Sequence, residues 1–407
     1  MSRTEELFLD ALRCALHNEQ VQWAKPLASE EWLRLFRLAD ENNVYPLIVE
    51  ATQASEALYA LPKRRERAIA KARRLTVNQA SRTGEFILLL RFLKEKGLYP
   101  IITKGMICRS LYPNPEERPS VDEDMLIDPA EMPRYHEALT EFGLPLFEPD
   151  CDIENDFEVA YRDDKRGVYV EVHKRFFSPD SSAYGDLNDF FAGVRERSTE
   201  IKFAGTSVRT LSPTDHILYL ILHAYKHFLH SGVGIRQLAD INMFAAKYSG
   251  EIDWQYVRSS CEKVRVDKLA SAMFLIGEKY LGFTVPEVFY GIETDAEPFL
   301  NDVLSGGLYG ANDINRLHAS TMTLEAVASQ KEGRRRKGAL HSVFLPARDL
   351  EGRYPFLKNK RWLLPAAWIA RVWNYVFRHE YGPVSAKESL RIAKDRIELL
   401  KEYGIIK

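Results

Sequence analysis

Cysteine is scarce and carries no pattern. Cys14, Cys108, Cys151 and Cys261 are the four in 407 residues, with no Cys-x-x-Cys pair and no zinc-ribbon spacing. They read as free thiols in a reducing compartment, not as a disulfide framework. Neither sign of charge dominates, since 56 Lys and Arg stand against 58 Asp and Glu, a formal charge of −2. A chain that coats nucleic acid carries a clear basic surplus, so no extended nucleic-acid-binding surface is expected. Long apolar runs are missing as well. The stretch Trp362 to Phe377 is the most suggestive, but Arg371 and Asn374 interrupt it, and a span needs roughly 20 apolar residues. No membrane span is expected. The opening Met-Ser-Arg-Thr-Glu-Glu enters an amphipathic acidic pattern and does not read as a signal peptide. There is no Gly-x-Ser-x-Gly elbow, dinucleotide fingerprint, Walker A loop or His-Glu-x-x-His zinc signature. A cytoplasmic, multi-part chain is what these absences leave.

The texture of the chain changes three times. Residues 1–97 have helical apolar spacing, with Ser29 at an N-cap position and a long periodic stretch from Lys63 to Lys96 closed by Gly97. Residues 98–211 alternate short apolar runs with one helix: strands are expected at 98–103, 121–127, 157–162, 168–176, 200–203 and 208–211, and a helix at 129–142. From Ser212-Pro213, a proline in a first helical turn, residues 212–290 read as helices over 213–230, 234–248, 253–263 and 267–281. Residues 291–407 continue mostly helical, with loops at 305–310 and 332–338 and helices at 362–378 and 385–402. The fold class expected is therefore α+β. A small mixed sheet sits between a helical N-terminal section and a helical C-terminal half that walls its cleft.

The chemistry concentrates in the middle section. Ile101-Ile-Thr-Lys104-Gly105-Met is a strand ending in a turn that opens a helix. Glycine there lets backbone approach a phosphate, free helical N–H groups face it, and Lys104 adds charge. Asp122 and Asp124 sit two apart on a strand, so both side chains share a face. Adjacent carboxylates repel unless a cation lies between them, and oxygen ligands suit Mg²⁺. In Val168-Tyr-Val-Glu-Val-His the valines take one face, and Tyr169, Glu171 and His173 take the other. A charged residue in such a strand is costly unless paired, so Glu171 is a natural third carboxylate. Solvated acids at a strand end are the plain alternative. Glu123, between the aspartates, adds a ligand or faces solvent.

His216, His223, His227 and His230 fall at i, i+7, i+11 and i+14 of one helix, which puts them on one face. His223 and His227 have zinc-ligand spacing. A polar seam beside the sheet is the preferred reading, with Arg236 and Asp240 an i, i+4 pair on the next helix. These four, His223, His227, Arg236 and Asp240, are candidates for contact with an acceptor or for support of the cleft. A metal-dependent hydrolase centred on His223, His227 and Asp240 is the weaker alternative. Arg109 and Arg118 are candidate phosphate partners, and Arg334 to Lys337 reads as a solvated basic loop.

Lys104-Gly105, Tyr112-Pro113, Arg118-Pro119, Asp122-x-Asp124, Val170 to His173 and Leu222-His223 together resemble the bacterial uncharacterised nucleotidyltransferases, within the DNA polymerase β-like superfamily. Arg236 to Ile241 and Arg353-Tyr-Pro-Phe-Leu are similar to its later parts. The resemblance implies that residues 98–211 form the nucleotidyltransferase-like domain. It implies that Asp122, Asp124 and Glu171 are catalytic and hold Mg²⁺ or Mn²⁺, and that Lys104, Gly105, Arg118 and His173 bind the nucleotide. The implied reaction moves a nucleotidyl group from a nucleoside triphosphate, ATP first among them, to a small-molecule, protein or RNA acceptor. A catalytically inactive binding protein on the same fold is the alternative that the residues leave open.

Overall fold

The computed structural model describes residues 1–23, 25, 27–230, 232–307, 314–331, 360–368 and 386–407. Helices α1 (Arg3–Leu16), α2 (Ser29–Glu41), α3 (Tyr45–Thr52), α4 (Glu56–Tyr59) and α5 (Pro62–Glu95) precede the first strand. In α1 the Ser2 hydroxyl accepts the Glu5 N–H and the Glu5 carboxylate accepts the Ser2 N–H. That reciprocal cap starts a helix whose apolar stripe (Phe8, Leu9, Leu12, Leu16) is buried. Ser29 is the first residue of α2, not its cap: Ala28 occupies that place and donates its N–H to Glu31. Proline at N1 opens α5 and Gly97, at φ 70°, follows its end. Gly84 faces open space and leaves α5 unbroken.

The sheet is six-stranded and mixed, built from β1 (Ile101–Thr103), β2 (Glu123–Leu126), β3 (Glu158–Asp163), β4 (Val168–His173), β5 (Thr199–Phe203) and β6 (Thr206–Thr210). Its order is β3-β4-β2-β1-β6-β5. The β4–β2 and β1–β6 pairs are parallel and the others antiparallel. Alternation sorts the two faces. Ile102, Met125, Val159, Tyr161, Val168, Val170 and Val172 form a buried back face, covered by α5 and α7 (Met132–Glu141), where His136 meets the Tyr161 hydroxyl. Thr103, Asp124, Glu158, Glu171 and His173 form the front.

The front looks toward α8 (Pro213–Leu229), which starts where the Ser212 hydroxyl accepts the Asp215 N–H. Behind α8 stand α9 (Ile235–Lys247), α10 (Trp254–Lys263) and α11 (Asp267–Leu281), then α12 (Glu297–Gly306), α13 (Ile314–Lys331) and α14 (Ala386–Glu402). Helices α9 and α11 approach so closely that a Cβ on Gly277 would lie 1.9 Å from Asn242 Oδ1. One apolar cluster runs from Phe8 through the sheet to Ile406, so the helical sections and the sheet share a core.

Several boundaries differ from expectation; β2 starts two residues late and β6 two residues early, at Glu123 and Thr206. The strand expected from Leu98 begins at Ile101, because Pro100 has no N–H for the ladder. The strand expected to reach Phe176 stops at His173, where the chain leaves to bury Phe176 and Phe177 against Tyr219. Ser305 and Gly306 end helix α12 and are not loop. The remainder of that loop, the basic loop 332–338, Arg353 to Leu357 and most of the 362–378 helix lie outside the described residues. All four cysteines are free thiols. No helix among the described residues is long and apolar enough to cross a membrane.

Candidate functional site

Register assembles an acidic face. Asp124 on β2 lies opposite Glu171 on β4, and His173 lies opposite Glu158 on β3. Asp122 precedes β2 by one residue and lines the same cleft as Asp124. Asp124 is 1% exposed. Its Oδ1 receives the Lys104 ammonium at 2.8 Å and His173 Nε2 at 3.0 Å. The same Nε2 is 3.6 Å from Glu171 Oε2, and His173 Nδ1 is 3.4 Å from Glu158 Oε2. One ligand atom each from Asp124, Glu171 and His173 lies within 4.8 Å of the others. Asp122 is outside that trio.

Burial would raise the Asp124 carboxyl, but the Lys104 ammonium and His173 hold it well below the usual range. Asp122 goes the other way, raised by burial and by repulsion from Asp124. Glu158 is raised by burial and by Glu171, against the pull of His173. Burial would lower His173, yet its hydrogen bonds to Asp124 and Glu171 push it up to about 9. Lys226 on α8 is lowered by burial and by Lys104. Lys104, Lys226 and, toward Asp122, Arg236 act on these acids, and a proton on His173 adds a further positive charge among them. Two carboxylates, an imidazole and further acids alongside fit a small divalent cation such as Mg²⁺ or Mn²⁺.

The turn before this face is built differently from expectation. Lys104 has φ 42°, a conformation that non-glycine residues adopt at a cost of about 1–3 kcal/mol, typically where function requires it. Its ammonium touches Asp124 and also His223 Nε2 at 3.0 Å. A Cβ on Gly105 would lie 2.2 Å from Glu123 Oε2, so any side chain there has to displace Glu123 from its place behind β2. The short helix α6 (Gly105–Arg109) follows, and Glu123 accepts its Met106 N–H at 2.8 Å. That N–H is therefore not open to phosphate. Glu123 neither ligates nor faces solvent: it points to the back of β2, where the fully buried Arg109 pairs with it and with Ser120. Arg109 is thereby removed from the phosphate candidates.

The cleft between the sheet and helices α8 and α9 is lined by Lys104, Gly105, Asp122, Asp124, Arg118 and Arg236, among others. Asp240 does not pair with Arg236 as expected. Arg118 Nε reaches Asp240 Oδ1 at 2.7 Å, its Nη2 reaches Oδ2 at 2.5 Å, and the Tyr112 hydroxyl donates to Oδ1 at 2.8 Å. A bidentate fork outcompetes a helical neighbour for both oxygens. Arg236 donates instead to the Pro119 carbonyl. Arg118 Nη1 and Arg236 Nε have no hydrogen-bond partner among the described residues.

The histidine face also divides. His223 and His227 meet with Nε2 atoms 3.2 Å apart, and burial with neighbouring lysines holds both well below the usual histidine range. His216 instead packs at a tilt against Phe244 and His230 reaches the Tyr184 hydroxyl. Since Arg118 and Tyr112 occupy both Asp240 oxygens, the hydrolase trio His223, His227 and Asp240 does not form. Glu158 and Lys226 belong to the face and were missed in the sequence. Alternation puts Glu158 opposite in phase to Val159 and Tyr161, but only the β3–β4 register brings it to His173.

A mixed sheet with carboxylates on neighbouring strands faces Lys104 and helix α8, and one ligand atom each from Asp124, Glu171 and His173 lies close enough to hold a metal ion. The family model described as uncharacterised nucleotidyltransferase matches residues 28–282. That is more than half of the chain, and the protein belongs to this family. Neither a curated protein nor a solved structure matches it.

Proposed function

We propose that the protein moves a nucleotidyl group from a nucleoside triphosphate to an acceptor hydroxyl and releases pyrophosphate. The observation that carries this reading is Asp124 beside Glu171 on adjacent strands, with Asp122 two residues upstream on the same cleft. Asp122, Asp124 and Glu171 would hold Mg²⁺ or Mn²⁺, with His173 as a nitrogen donor once it gives up its proton. A bound divalent cation supplies charge neutralisation at the attacked and leaving oxygens of an in-line displacement.

The other roles belong to the chain. Lys104, Arg118 Nη1 and Arg236 border the cleft and set positive charge against a triphosphate. Glu171, more open than Asp124, orients the acceptor hydroxyl and takes its proton. The acceptor oxygen bonds to the α-phosphorus as the bond to the β-phosphate bridging oxygen breaks. Incubation with α-labelled ATP and the other nucleotides, with candidate acceptors, tests the reading. Wild type transfers label and Asp122→Asn with Asp124→Asn does not. Equal labelling by both ends it.

A second reading has its own observation. Carboxylates already engage the Lys104 ammonium and the Met106 N–H, the two groups expected to meet phosphate. A nucleotide-binding protein without turnover accounts for that arrangement, and saturable nucleotide binding with no labelled product would select it.

A further inference from the structure

Lys104, the residue after β1, is not where alternation would put it. Cross-strand partners share a face, so Thr103 lies in front with Asp124, and alternation would send Lys104 behind the sheet with Glu123. The φ of 42° at Lys104 breaks that alternation, and its side chain comes to the front. There the ammonium is shared. Asp124 Oδ1 takes it at 2.8 Å and His223 Nε2 at 3.0 Å. An ammonium can only donate, so His223 Nε2 is the acceptor and Nδ1 carries the ring proton.

Helix α8 supplies this second seat. Tyr219, His223 and His227 follow at i, i+4 and i+8, one above another, and the Tyr219 ring centroid is 5.8 Å from the same ammonium. The His223 ring centroid is 5.5 Å from that of Tyr219 and 4.4 Å from that of His227. His227 Nε2, 3.2 Å from His223 Nε2, donates to the same lone pair and fixes the rotation of the ring. Burial and the neighbouring lysines keep both rings neutral, so the acceptor stays open to Lys104. His223 also lines the cleft with Asp122, Asp124, Arg118 and Arg236. An apolar side chain would fill this helix face without burying a polar ring. What the imidazole adds is an acceptor for Lys104.

A divalent cation drawn to Asp124 meets the ammonium already there, and like charges at hydrogen-bond range repel strongly. We propose that His223 is a positioning residue for Lys104. It keeps the ammonium in the cleft when a divalent cation takes Asp124, so one lysine neutralises Asp124 in the metal-free protein and meets the triphosphate in the loaded one. The proposal rests on the metal and nucleotide sites of the transfer reading, though not on turnover. It also accounts for the engagement of Lys104 by Asp124 without making the cleft inert: the pair is the resting arrangement, and His223 is the place to which the lysine yields.

Two titrations of the full chain test this: Mn²⁺ by electron paramagnetic resonance, and ATP in Mg²⁺ by calorimetry. Lys104→Met removes the competing cation, so it binds Mn²⁺ at least about threefold tighter than wild type and ATP at least about tenfold more weakly. A gain in affinity cannot come from misfolding. His223→Leu leaves the ammonium without its second acceptor, so Mn²⁺ and ATP both bind at least about threefold more weakly. His223→Gln, whose amide oxygen accepts from the same ammonium, restores both. Unchanged or weaker Mn²⁺ binding by Lys104→Met overturns the proposal. Equal losses in His223→Leu and His223→Gln overturn it too, because the ring would then be structural. Wild-type Mn²⁺ uptake that no variant alters sinks this proposal alone, whereas no uptake by wild type sinks the metal reading and this one with it. Shifts in the expected directions with no label transfer sink the transfer reading alone.

Discussion

Glu123 and Asp124 are neighbours on β2 that point to opposite faces, and their surroundings differ in kind. Behind the sheet, Glu123 meets Arg109 and the Met106 N–H, and Arg109 also holds Ser120. The same closed pattern recurs where Arg118 and Tyr112 take up Asp240. Both of these carboxylates have their counter-charge. In front, Asp122, Asp124, Glu158 and Glu171 share Lys104, Lys226, Arg236 and the proton of His173, and burial together with repulsion from Asp124 and Glu171 raises the carboxyls of Asp122 and Glu158. Closed pairs brace a fold. Carboxylates crowded together in a cleft, with no closed pair of their own, are where a cation belongs.

Substitutions on the two faces should therefore move stability in opposite directions. The largest effect belongs to the closed side. Arg109→Met strands a buried carboxylate and should cost about 3 kcal/mol in denaturant unfolding, toward the low end for a broken buried pair because Met106 still donates to Glu123. A loss below about 1 kcal/mol would mean that this pair is not structural.

His216, on the same helix as the cleft histidines, gives the next effect. Thr210 and Phe244 face it, no acid among the described residues does, and burial lowers it to about 3. A histidine depressed in the folded state takes up protons more readily when unfolded. Its stabilisation is full above about pH 6.5 and is lost as pH falls from there toward 3. At pH 5 that loss is about 2 kcal/mol. His216→Phe should remove it, so melting compared at pH 7 and pH 5 falls less in the variant. Parallel pH dependence in both proteins would contradict this.

Asp122→Asn is the smallest effect and has the opposite sign. Ionising this carboxyl is disfavoured in the folded state, so at neutral pH the aspartate costs stability that asparagine does not. The gain should be about 1 kcal/mol, limited by the partial solvent access of this side chain, while nucleotidyl transfer is lost. A gain in stability with a loss of function marks residues kept for chemistry. A destabilised variant would place Asp122 with the closed pairs.

Much of the acidic face was legible because it depends on period 2. Asp122-x-Asp124 and Glu171-x-His173 declare shared faces wherever the strands pair, and the Val-rich alternation identifies the strand. Glu123 was expected to add a ligand or face solvent; the same alternation turns it to the other face, but its partner Arg109 could not be read from spacing. Contacts between distant segments were not legible. Asp240 chose Arg118, 122 residues away, over Arg236 four residues away, because tertiary packing supplied a fork that the helix did not. Glu158 needed the β3–β4 register. The basic first half of α5 was hidden differently: its charges are local, but the whole-chain sum of −2 averaged them away.

The account turns on whether the acidic face binds a divalent cation. Mn²⁺ titration followed by electron paramagnetic resonance, in which bound ion leaves the free-ion spectrum, measures it directly. Wild type should remove Mn²⁺ saturably, with Mg²⁺ competing, and Asp124→Asn with Glu171→Gln should not. No saturable uptake by wild type, or equal uptake by the variant, would contradict the central claim.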